Sequence, residues 1–202
     1  MSIEKLFYRK QLLNLLKRRA TKRNDSTRHS DRNVKAVGLE EIAFIRSKLS
    51  GIPHALIGGQ AISSYIKPRS TLDVDFLINP GDVDAAVKAL GGVNATPLTI
   101  GGVSVKVGNI DVDLIAPDTS WVGEAISSAS GGLISKPYLV ITKLWASRGE
   151  QDDADIIGLV KTMSSKEIKS TKDLISTHMP DQIDDFDQMV EISKITGAHK
   201  ES

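Results

Sequence analysis

The chain has 202 residues, 40% hydrophobic and 25% charged, with a net charge of +1, enough to bury a core without disulfide or zinc staples. It has no cysteine, which excludes disulfides, thiolate metal sites and cysteine nucleophiles and agrees with a cytoplasmic location. No apolar run approaches the roughly 20 residues that span a bilayer, and the opening MSIEKLFYRKQLLNLLKRRA lacks the apolar core and cleavage site of a secretory signal, so no membrane partner is expected.

The charge is unevenly spread. Residues 1–35 hold eleven Lys/Arg against Glu4, Asp25 and Asp31, so a basic arm precedes an acidic body. Such an arm fits anionic partners, RNA among them, and equally fits a solvated helix face followed by a loop.

Leu6, Leu12, Leu13, Leu15 and Leu16, interleaved with Lys and Arg, predict an amphipathic helix over 3–19. Residues 20–34 are polar and read as a loop. Ile42, Ile45 and Leu49 predict a helix over 39–49, stopped by Gly51 and Pro53. His54–Ile57 reads as a short buried strand ending at Gly58-Gly59, with a short helix over 60–66 and a break at 67–70. The alternation over Leu72–Ile78 predicts a strand with Asp73 and Asp75 on one face. A turn at 79–81 leads to a helix over about 82–90. Residues 96–115 read as strands joined by tight turns, with Gly108-Asn109 between VSVKV and IDVDLIA.

From 119 onward the pattern is helical. Ser135 and Pro137 start one helix running through Lys143 and Trp145, and another covers about 152–163. Ser164 and Glu167 form a capping-box pattern for a third, which Pro180 ends, and Ile183, Phe186 and Val190 mark a last one. The chain thus divides into a basic helical arm and loop (1–36), an α/β core (37–118) and a helical C-terminal region (119–202). The predicted fold class is α/β in the α+β sense, a small mixed sheet flanked by helices.

Two carboxylates two apart on a strand repel one another unless a cation lies between them. Asp73 and Asp75 therefore favour a divalent metal with oxygen ligands, typically magnesium with manganese as the alternative. Asp111 and Asp113, again two apart, offer a third carboxylate from a neighbouring strand. Such a cluster suits in-line displacement at phosphorus, which needs positioning and charge neutralisation rather than a protein nucleophile. Gly58-Gly59, between a strand and a helix, leaves room for a phosphate chain to approach backbone N–H groups, and Ser63 and Ser64 lie one turn further on. Asp-x-Asp and Gly-Gly are each common without function; their order along the chain is what is specific.

That order, LIGGQAISSYIKPRSTLDVDFLI over residues 56–78, resembles the DNA polymerase β-like nucleotidyltransferase superfamily. The stretch Arg69-Ser-Thr-Leu-Asp73-Val-Asp75 is similar to the form found in its minimal and AbiEii-like branches, which include toxins of toxin–antitoxin pairs. Thirteen residues separate Gly59 from Asp73, a long spacing for the family, and Gln60 follows the glycines where small or apolar residues are frequent. The resemblance spans about 52–160 and implies the nucleotidyltransferase fold, NTP as substrate and Asp113 as third acid. Asp111 reads either as an auxiliary ligand or as a solvated strand residue. The segments around Lys143-Leu-Trp-Ala146 and Asp152-Asp-Ala-Asp155 are similar to the branch's later motifs, which implies that Lys143 faces the nucleotide phosphates. The bland alternative is a surface lysine on an amphipathic helix.

The four histidines are scattered, and His54 reads as structural. No zinc cluster, nucleophile elbow or P-loop is present. Trp121 and Trp145 read as core or lobe contacts, and the acidic DQIDDFDQ stretch as a solvated helix face. The expected function is transfer of a nucleoside monophosphate from NTP to an acceptor hydroxyl on RNA, especially a tRNA end, on a protein or on a small molecule. Asp73, Asp75 and Asp113 carry the metals. Gly58 and Gly59 hold the triphosphate, with Ser63, Arg69 and Lys143 as further contacts. The rival is a non-catalytic module that senses nucleotide or docks a partner such as an antitoxin.

Overall fold

A computed structural model describes residues 37–67, 71–92, 95–146 and 149–197. The helix expected over 3–19, the polar stretch 20–34 and Arg69 lie outside them. The architecture is a mixed five-stranded sheet flanked by helices, as the sequence pattern predicts.

Helix α1 (Leu39–Lys48) buries Ile42 and Ile45, and the Gly38 backbone N–H donates to the Glu41 carboxylate at its start (2.6 Å). Strand β1 (His54–Leu56) follows, then the short helix α2 (Gly58–Ser63), which begins on the glycine pair itself rather than two residues later. Strand β2 (Asp73–Ile78) is half-exposed only at Asp73 and buried at every later position. A strand apolar on both faces is one covered on both faces, and β2 lies inside the sheet, between β1 and β5. Helix α3 (Val83–Leu90) ends on Gly91. Then come β3 (Thr96–Pro97), β4 (Gly102–Val107) and β5 (Ile110–Ile115).

The strand order is β1-β2-β5-β4-β3. The β2–β5 pairing is parallel; β1–β2, β4–β5 and β3–β4 are antiparallel. Gly102, opening β4, has φ +93°, and a side chain there would overlap the Leu114 carbonyl of β5. A non-glycine residue would break the pairing on both counts.

Helices α4 (Val122–Ser127), α5 (Lys136–Ala146), α6 (Glu150–Val160), α7 (Ser165–His178) and α8 (Ile183–Gly197) complete the chain. Helix α4 packs on β1 and β2, α2 on β2 and α5, α5 on α6 and α7, and α8 on α6 and α7. The backbone at Leu56 also bonds to the segment before α5: its N–H donates to Gly132 O (2.8 Å) and its carbonyl accepts from Ile134 N–H (3.3 Å). One continuous apolar cluster runs from Ile42 of α1 through Phe76, Leu114, Trp121 and Leu139 to Phe186 and Met189 of α8. No helix of the described residues is long and apolar enough to cross a membrane.

Candidate active site

Strand pairing brings the acids together. In the β2–β5 register Asp73 stands opposite Asp111 and Asp75 opposite Asp113. Because side chains alternate along a strand, all four project from one face of the sheet. Ligand oxygens of Asp73, Asp75 and Asp113 lie within 4.8 Å of one another, a grouping that could hold a metal ion. Asp75 is 8% exposed. Asp111 is not in the group: it is exposed and its carboxylate pairs with Lys106 across the β4–β5 hairpin (2.7 Å). Of the two readings of Asp111, the structure matches the solvated strand residue.

The glycine pair lies against the same cluster. Gly58 has φ +65°, and a Cβ there would overlap the Asp75 carboxylate. The adjoining backbone is tied to the same residue, since Ile57 N–H donates to Asp75 O (3.0 Å). Gly58 therefore works twice: it makes the left-handed turn that starts α2, and it leaves the space that Asp75 fills.

A cleft of about 320 Å³ opens beside the acids. Its polar lining includes Thr71, Asp73, Asp75, Lys143 and Asp152, with the backbone of Gly58 and Gly59. Thr71 Oγ1 is buried there without a hydrogen-bond partner among the described residues. The apolar lining of the cleft includes Ile100, Ile115, Trp121 and Trp145.

Lys143 lines the cleft but is no surface lysine. It is 9% exposed, and its ammonium is bound by Asp152 (2.8 Å) and Asp155 (3.0 Å) of α6. The two segments that the resemblance paired in sequence thus form one buried ion cluster. Ser63 is not among the lining residues, and its hydroxyl donates to Gly59 O (2.9 Å), as Ser64 does to Gln60 O (3.3 Å). His54 is structural as expected, with Nδ1 2.7 Å from Ile52 O and its ring edge-on to Phe76.

No protein-family model matches the chain, and no curated protein matches it. Among solved structures, the solution structure of the antibiotic-resistance factor ANT(2'')-Ia is similar at 16% identity and TM-score 0.38, over 79% of this chain and 93% of that one. The crystal structure of ANT(2")-Ia in complex with adenylyl-2"-tobramycin is similar at 18% identity and TM-score 0.40, over 72% and 91%. At such scores the reading of the site rests on the geometry of its own residues.

Sequence reasoning did not place the two tryptophans at the site, and it gave Thr71 as part of the Arg69–Asp75 motif without a role of its own. Thr142, Trp145 and Ala146, all in the cleft lining, are at i, i+3 and i+4 on α5 and so share a face. That face gives no signal in the pattern, because Leu139 to Leu144 are all buried and the helix is covered nearly all round.

Proposed function

We propose that the chain is a divalent-metal-dependent nucleotidyltransferase, moving a nucleoside monophosphate from an NTP to an acceptor hydroxyl. The observation that carries this reading is the convergence of Asp73, Asp75 and Asp113 beside the Gly58 turn. Three carboxylates this close repel one another, and hard oxygen donors on adjacent strands fit magnesium or manganese. Held there, such an ion would supply charge neutralisation on the triphosphate and would lower the pKa of the acceptor hydroxyl.

The chain's own residues do the rest. Asp73 and Asp75 hold the metal, and Asp113 completes the site and takes the acceptor proton. The acceptor oxygen bonds to the α-phosphorus, the bond to the β-bridging oxygen breaks, and pyrophosphate leaves with that electron pair. Gly58 and Gly59 let the triphosphate approach backbone N–H groups that a side chain would screen. Ser63 supports that turn from behind through its bond to Gly59 O. Lys143, held by Asp152 and Asp155, lines the same cleft, and it and Arg69 are assigned to the phosphates by their places in the motifs. The eleven basic residues of 1–35 favour RNA, with a tRNA end as one candidate, over a protein or small-molecule acceptor, since cationic side chains track phosphates.

The experiment is incubation with magnesium, α-labelled NTPs and total RNA, protein or small hydroxyl compounds. Label transfer by wild type and none by Asp73→Ala is expected. Wild type indistinguishable from Asp73→Ala on every acceptor would sink the enzymatic reading and leave nucleotide binding alone. A toxin role adds a second expectation: induced expression arrests growth, and Asp75→Asn relieves the arrest.

A further inference from the structure

We infer that Trp145 is the platform of a nucleobase subsite in the cleft, stacking the base of the nucleotide or acceptor whose phosphates meet the carboxylate side. The nature of the planar group rests on the proposed nucleotidyl transfer. The platform itself rests on the residues around Trp145.

Trp145 is 40% exposed, at the end of a helix whose preceding six residues are buried. Among the described residues, the other exposed large apolar side chains, Leu39, Phe44 and Leu72, are not in the cleft lining; Trp145 is. Its ring is held by two other parts of the fold. The indole N–H donates to Ile100 O, between β3 and β4 (3.4 Å), and the ring meets buried Trp121 edge-on at 6.2 Å and 67°. A ring held by two contacts from other parts of the fold keeps its plane, and Trp145 stays 40% exposed in the cleft lining. A flat, rigid aromatic loses little entropy on stacking, and every base has a π-face to offer it.

The surroundings select among ligands. Ile100, Ile115 and Ala146 share the lining and offer no side-chain hydrogen bonds, while the Thr142 hydroxyl and the Gln151 amide N–H, also in the lining, already donate to Leu139 O (2.8 Å) and to Asp155 (3.0 Å). A sugar would need such bonds for its hydroxyls, and a hydrocarbon chain would not need a fixed plane. The polar groups of the same cleft include Thr71 and Lys143, with Asp73 and Asp75, whose carboxylates would meet the anionic remainder of a nucleotide only through the divalent ion they would hold. About 320 Å³ is the low end of small-ligand sites, room for one nucleotide unit.

The test is titration of the full chain, with magnesium, by ATP, GTP, CTP, UTP, inorganic tripolyphosphate and a short single-stranded RNA. Binding is followed by calorimetry and by tryptophan emission. The preferred NTP should quench emission and bind more tightly than tripolyphosphate. Trp145→Ala should weaken that NTP about 10-fold or more and tripolyphosphate by less than about twofold, the signature of a lost stack. Trp145→Phe should restore most of the affinity, which a merely unfolded variant would not. If RNA alone weakens in Trp145→Ala, the base stacked is the acceptor's. Equal loss for NTP and tripolyphosphate, or no loss for any NTP or RNA, overturns the proposal. Failure of wild type to bind tripolyphosphate while base-dependent binding persists would instead count against the transfer reading and leave the base subsite standing.

Discussion

Asp75 and Gly58 form one unit. The carboxylate occupies the volume where a Cβ of residue 58 would stand, and the backbone there is left-handed. Gly58→Ala must therefore strain the turn and displace the carboxylate together. Holding a non-glycine residue in such a conformation costs about 1–3 kcal/mol, so a lower melting temperature is expected, with nucleotidyl transfer near the background of Asp75→Asn. Gly81→Ala is the control, since nothing lies within 4 Å of its Cβ position and its φ is not positive. Full transfer activity in Gly58→Ala would show that Asp75 needs no such placement. Why the acids were legible in the sequence while Trp145 and the setting of Lys143 were not is a matter of range. Asp73 and Asp75 are two apart, and strand alternation alone puts them on one face. The partners of Lys143 are nine and twelve residues on, in the next helix, and no local periodicity relates two helices across a connection. Ser63 has a local acceptor at i−4, and such local bonding competes with more distant contacts.

The joint between α5 and α6 depends on that buried Lys143 cluster. Breaking a buried ion pair by removing one partner strands the other charge and costs about 3–5 kcal/mol. Lys143→Met is expected to lower stability by that order, measured by urea unfolding. Adding Asp152→Asn and Asp155→Asn should recover most of the loss, since the stranded charges are then gone. Lys143→Met alone unfolding at the wild-type midpoint would contradict the burial of the pair. Helix α7 offers a pH-dependent test of its own start. Ser164 accepts from Glu167 N–H, and the Glu167 carboxylate accepts from Ser164 N–H (2.7 Å), the reciprocal pattern foreseen from Ser164 and Glu167. The Ser164 backbone N–H first, then the Ser164 hydroxyl and Lys136, hold the Glu167 carboxyl below its ordinary range, against an opposing push from burial. A carboxyl lowered in the folded state stabilises the fold above its unfolded pKa, and that contribution is lost as pH falls through the folded value. Glu167→Gln should thus be less stable than wild type at neutral pH, with the gap closing in acid. A gap constant from neutral pH into acid would assign the effect to packing rather than charge.

At the scale of the whole molecule, the sequence suggests a division near residue 118, where the alternating pattern gives way to helices. Packing crosses that line. Helix α4 lies on β1 and β2, the 130–134 segment bonds to Leu56, Tyr65 OH donates to Ile134 O (2.7 Å), and the apolar cluster is continuous from Ile42 to Val190. The cleft has both kinds of wall, sheet acids on one part and α5 and α6 residues on another, so a site built this way exists only when both parts are folded. A single cooperative transition is therefore expected. Near-UV circular dichroism reports Trp121 and Trp145 at the meeting of α4 and α5 with the sheet, whereas far-UV ellipticity is dominated by helices beyond 119. The two curves should coincide in urea. Phe186→Ala, far from the cleft lining in sequence but fully buried in α8, should shift both midpoints together, by a loss of about 3–5 kcal/mol. Separate transitions, with the far-UV change alone sensitive to Phe186→Ala, would mean that the C-terminal helices fold apart from the sheet and that the cleft closes only on docking.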